Sequence, residues 1–97
     1  MGIYPVTVRV KPYRGSDSKK LEKLREKIHF AKILEEHINS IMNDKEVHKF
    51  TYGFMATELT IPKNIISELL STIDGGSNGV TVCTKEYWKK NFSENNA

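Results

Sequence analysis

The sequence predicts a single small α+β domain, ordered β-α-β(β)-α-β with a short C-terminal helix, its helices packed on one small sheet. Three observations carry this reading. Valines alternate with polar residues between Pro5 and Pro12, a long helical periodicity runs from Lys19 to about Asn43, and a Pro-led apolar helix precedes the strand-like run from Gly79 to Thr84. A length of 97 residues holds one modest core and leaves no room for separate catalytic and cofactor lobes.

In the first element, Val6, Val8 and Val10 alternate with Thr7, Arg9 and Lys11, the pattern of a half-buried strand bounded by prolines. The turn from Tyr13 to Ser18 is rich in helix-capping residues, with Asp17 as a candidate N-cap. Leu21, Leu24, Ile28, Ala31, Leu34, Ile38, Ile41 and Met42 then form an ordinary core-facing stripe on the long helix. Phe30, Ile33 and His37 fall beside that stripe and widen the apolar surface of the helix's second half. This surface is covered either by the domain itself on two sides or by a second copy or partner; Phe30, Ile33, His37 and Ile41 are the self-association candidates.

Phe50, Tyr52 and Phe54 share one face of a period-2 pattern, and Met55, Thr57, Leu59 and Ile61 continue on the other. The expectation is a strand that changes face at Gly53, through a bulge or a tight reversal. Pro62 then opens a helix of about three turns that carries Ile65, Ile66, Leu69, Leu70 and Ile73 and stops at Gly75-Gly76. After the next strand, Thr84 is placed to cap a final helix whose Tyr87, Trp88 and Phe92 face the body. Residues 1–92 are expected to form the domain and 93–97 a flexible polar tail.

Charge is distributed unevenly. The net charge is +3, yet residues 1–34 carry nine Lys/Arg against three Asp/Glu, and residues 35–78 three against seven. Along the long helix this order opposes the macrodipole, because Lys19, Lys20, Lys23, Arg25 and Lys27 lie early and Glu35 and Glu36 late. Three explanations stay open: an anion held at the helix start, an antiparallel helix dimer, or solvated charge without a partner. The anion or nucleic-acid candidates are Arg9, Lys11, Arg14, Ser16, Lys19 and Lys20.

Two stretches resemble known families. Tyr52-Gly53-Phe54-Met55 is similar to the longer conserved strand of the RNA recognition motif, and Ile3-Tyr4 to its shorter one. The resemblance implies a four-stranded sheet whose exposed aromatics stack on single-stranded bases, with Tyr4, Tyr52 and Phe54 in that role. The sequence departs from that motif at Phe50-Thr51, where the family has a basic residue and glycine, and at Thr57, where it has an aromatic. Thr60-Ile61-Pro62-Lys63 with Ile65 resembles the strand-Pro-helix of swapped-hairpin transcription regulators of the transition-state type, which implies an intertwined DNA-binding dimer. Ile66 stands where that family has a basic residue.

Catalytic patterns are sparse. His29 and His37 lack the four-residue spacing that brings two imidazoles to one metal, and the single cysteine, Cys83, lies mid-strand. The glycine-rich stretch after the second helix leads from helix to strand, opposite to a phosphate loop. No cofactor, metal or catalytic residue is expected. With no apolar run long enough for a membrane span and no signal-peptide pattern, the reading is a cytoplasmic, non-catalytic regulatory or inhibitory protein. It would act by protein contact, as a homodimer through the long helix; the alternative is nucleic-acid or nucleotide binding through the basic N-terminal strand, loop and helix start.

Overall fold

In the computed structural model, which describes residues 2–73 and 78–91, the sheet begins with only two residues, β1 (Gly2–Ile3). The valine alternation that follows is real, but it does not build a sheet strand. Val6 and Val8 are buried and Val10 is half-buried, while Thr7, Arg9 and Lys11 are exposed. Their partner is a helix. Beyond the cis Tyr4–Pro5 bond the chain runs antiparallel along α1 (Ser18–Met42) as an extended strap. The Val6 N–H donates to Asn39 Oδ1 at 2.9 Å, Asn39 Nδ2 donates to the Val6 carbonyl at 3.0 Å, and the Val8 N–H donates to Glu35 Oε1 at 2.8 Å. Two extended residues rise roughly 6.6 Å and four helical residues about 6 Å, so alternate strap residues meet every fourth residue of α1. The expected first strand is thus corrected: side chains of a helix satisfy backbone groups that a neighbouring strand would otherwise take.

Asp17 caps α1, its carboxylate accepting from the Lys19 and Lys20 N–H groups. The apolar stripe is buried only at Ala31, Leu34, Ile38 and Met42; Leu21 and Leu24 are half-buried and Ile28 is 42% exposed. The N-terminal half of α1 therefore stands out from the core.

The aromatic stretch is not one strand but two different elements, β2 (Val47–Thr51) and α2 (Tyr52–Leu59). Tyr52, Met55, Ala56 and Leu59 fall at the i, i+3, i+4, i+7 positions of one helical face, with Tyr52 and Met55 buried and the other two packed against the core. Gly53 is an ordinary helical residue with open space around it, neither bulge nor reversal. Thr60 ends α2 in the left-handed region at φ 56°, and Pro62 is the N-cap of α3 (Lys63–Leu70), its carbonyl accepting from Ile65 and Ile66. With eight residues, α3 has about two turns rather than three, and it buries Ile66, Leu69 and Leu70. The expected stop at Gly75-Gly76 lies outside the described residues. Because α2 occupies the positions where a strand was expected to run up to Thr60 and Ile61, the likeness to the swapped-hairpin motif is removed as well.

Strand β3 (Gly79–Cys83) is central, parallel to β1 and antiparallel to β2, which gives the order β1-β3-β2. Gly79 pairs with Thr51, and a Cβ there would collide with the Phe50 carbonyl oxygen, so only glycine lets the two backbones approach. Thr84 caps α4 (Lys85–Asn91) by accepting from the Tyr87 N–H at 3.1 Å. Tyr87 is half-buried and Trp88 more exposed than that; Phe92 and the 93–97 tail lie outside the described residues. Among the described residues, four helices pack on a three-stranded mixed sheet in one α+β domain. No described helix is long and apolar enough to cross a membrane.

Candidate functional site

The basic candidates divide between two neighbouring recesses and the open surface. Arg9, Lys11, Arg14, Ser16, Lys19 and Lys20 are all exposed, and Asp17 already occupies the terminal N–H groups that an anion would need. Instead, Lys11 and Lys20 meet Lys23 and Lys27 around a cleft of about 350 Å³ between the strap and α1, lined also by Pro12, Tyr13, Leu24 and Glu68. Arg9 lies in an adjoining recess with Lys11, Lys27, Leu69 and Thr72. Arg14, Ser16 and Lys19 line neither. Tyr13, Lys23 and Lys27 are not among the site candidates read from the sequence, although Lys20, Lys23 and Lys27 have the three- and four-residue spacing of one helical face.

The four self-association candidates are all half-buried, and Phe30, Ile33 and Ile41 pack against the core. His37 and Ile41 open onto a groove of about 280 Å³ shared with His48, Lys49, Phe50, Thr51, Phe54 and Met55. Phe54 is 65% exposed at its rim, a burial pattern set by α2: Tyr52 and Met55 turn inward, so Gly53 and Phe54 between them turn out. Tyr52, expected as a stacking residue from the likeness to the RNA recognition motif, is core, and its segment is helical rather than a sheet surface. Tyr4 is half-buried and donates its N–H to the Cys83 carbonyl at 2.8 Å.

The groove runs beside an open sheet edge. The Thr84 N–H donates to the Glu46 carbonyl at 2.8 Å and the Tyr52 N–H to the Asn78 carbonyl at 2.9 Å, which sets the phase of the antiparallel ladder. Glu46, His48, Phe50 and Tyr52 bond toward β3; Val47 and Lys49 point their N–H and C=O groups outward, and Thr51 its N–H. Because β2 ends the order β1-β3-β2, no described strand takes these groups. Val47, Lys49 and Thr51 side chains are exposed on the face away from α1. His48 and Phe50 face α1, with ring centroids 4.6 Å apart, and Phe50 lies 6.2 Å from His37.

His37 is the electrostatically unusual member. Its Nε2 is buried with no hydrogen-bond partner. Burial lowers its pKa from the ordinary 6.5; Glu58 opposes the shift and His48 adds to it. Cys83 is fully buried in β3, and burial pushes its thiol pKa up, away from the thiolate a nucleophile needs. No group of three or more His, Cys, Asp or Glu among the described residues could hold a metal ion. No protein-family model matches the chain, and no curated protein and no solved structure matches it either.

Proposed function

We propose that the protein works by contact with another protein, adding an extended segment of that partner to the outer edge of β2. The observation that carries this reading is the conjunction of outward backbone groups at Val47 and Lys49 with the adjoining apolar groove and exposed Phe54. Strand addition draws affinity from backbone hydrogen bonds and selectivity from side chains that enter neighbouring pockets. Here the groove between His37, Ile41 and Phe54 is such a pocket.

Charge selects the occupant. Lys49 lies in the middle of β2, so antiparallel self-pairing centred there sets like charges opposite one another, whereas a partner strand with a carboxylate opposite Lys49 gains a favourable pair. The favoured partner segment therefore alternates apolar residues with at least one acidic residue. A homodimer is the competing assembly, and it is read in the same experiment.

A displayed library of random peptides, selected on the full chain, tests the proposal. Expected is enrichment of extended sequences pairing apolar with acidic residues, with amide-exchange protection at Val47 and Lys49 on binding. Lys49→Pro removes an outward N–H without touching the β2–β3 ladder, and Phe54→Ser removes the rim; each should weaken binding by about tenfold or more while circular dichroism stays unchanged. Absence of enriched peptides, or equal binding by both variants, overturns the reading. So does a dimer mass by light scattering that Lys49→Pro abolishes, since the edge would then belong to a second copy.

A further inference from the structure

We propose that the cleft between the strap and the N-terminal half of α1 binds a nucleoside polyphosphate, its phosphate chain on the lysines and its ring system on the apolar wall. The site is independent of the β2 groove: Lys20 and His37 are seventeen residues apart on α1, about 25 Å along its axis. Lys11 comes from the strap, and Lys20, Lys23 and Lys27 from one face of the helix. Lys27 pairs with Glu68 at 2.6 Å, whereas Lys11, Lys20 and Lys23 have no carboxylate within bridging distance among the described residues. Three unpaired ammonium groups around one opening repel each other, and a multiply charged anion relieves that repulsion more than a singly charged one. Lysines act as mobile point charges, which suits a flexible phosphate chain better than the planar fork a lone carboxylate prefers.

The apolar wall separates an organic phosphate from a bare one. Pro12, Leu24 and the Tyr13 ring line the cleft, whose 350 Å³ lies in the size range of small-ligand sites. Tyr13 is held from three directions. Its Oη accepts from the Asp17 N–H at 3.3 Å, Lys20 Nζ lies 5.6 Å from its ring centroid, and Gly15 packs so closely that any Cβ there would collide with the ring. A ring fixed in this way presents a surface to a base without losing conformational freedom on binding.

Calorimetric titration of the full chain with ATP, GTP, inorganic tripolyphosphate and a short single-stranded oligonucleotide tests the proposal. Nucleoside triphosphates should bind more tightly than the other two. The double variant Lys20→Glu/Lys23→Glu should weaken them by at least about tenfold, and the charge-matched Lys85→Glu/Lys89→Glu should not. Tyr13→Ala should weaken ATP and leave tripolyphosphate unchanged. The proposal is overturned if ATP fails to bind at about 1 mM, if tripolyphosphate binds as well as ATP, if the oligonucleotide binds more tightly, or if the two double variants behave alike. The substituted lysines are exposed and Tyr13 is half-buried, and circular dichroism of each variant checks for an intact fold.

Discussion

At the scale of single residues, a few polar side chains decide features that the apolar pattern leaves open. His37 illustrates this. Its pKa is lowered by burial, so the unfolded chain takes up a proton at a higher pH than the folded chain does. Stability is therefore fully present above pH 6.5, the ordinary value, and falls as pH drops from there through the lowered folded value. Urea denaturation at stepped pH should show this decline, and His37→Phe should flatten it; a slope that survives the substitution assigns the effect elsewhere. Asn39 matters for a different reason. Its amide satisfies both backbone groups of Val6, so Asn39→Ala leaves a partly buried donor and acceptor unpaired and should cost about 1–3 kcal/mol. Asn39→Asp keeps only the acceptor and sets its charge against the Val6 carbonyl; it should rescue little, and Val6 amide exchange should quicken in both variants. The caps at Asp17 and Thr84 were legible in the sequence because their hydrogen bonds close within three residues. The bond between Val6 and Asn39 spans 33 positions and has no local signature.

At the scale of elements, the instructive case is the segment after Phe50. Its apolar residues fit both periods: Phe50, Tyr52 and Phe54 alternate, while Tyr52, Met55, Ala56 and Leu59 recur at helical spacing. Alternation leads to a strand, yet the chain turns helical immediately after Thr51, whose partner Gly79 is the first residue of β3, so the ladder offers no further strand residue to pair with. The same step creates the candidate docking groove, because a helix exposes Phe54 where a strand would have set it beside Tyr52. The strap shows the converse. Its alternation is obeyed in burial while its hydrogen bonds go to a helix, so period-2 patterning reports which face is wet rather than what the backbone pairs with.

At the scale of the molecule, the shape follows from α1. Its 25 residues span roughly 38 Å, and the described chain measures 53 × 28 × 23 Å with a radius of gyration of 15.0 Å, against about 13 Å for a compact chain of this length. The core gathers under the second half of the helix, and the first half is accompanied by the strap and, through Lys27 and Glu68, by the edge of α3. Amide exchange should accordingly be faster over residues 18–28 than over 31–42; uniform protection along α1 would show that the protruding half is held by contacts beyond those described. The basic residues concentrate on this protruding half, and the cleft proposed for a polyphosphate uses the strap as its second wall.

By itself, the sequence determined the α+β class, the extent of the long helix to within a residue or two, its N-cap at Asp17, the presence of a strand from Gly79 and the burial phase of the valines. Each of these is written in neighbouring residues, through periodicity or capping chemistry. Only the tertiary structure decided that the valine segment lies on a helix, that β2 ends at Thr51 with an open edge, and that Lys11 reaches Lys20, Lys23 and Lys27. Those outcomes depend on contacts between residues far apart in the chain, where the competition between backbone partners is settled by packing rather than by local preference.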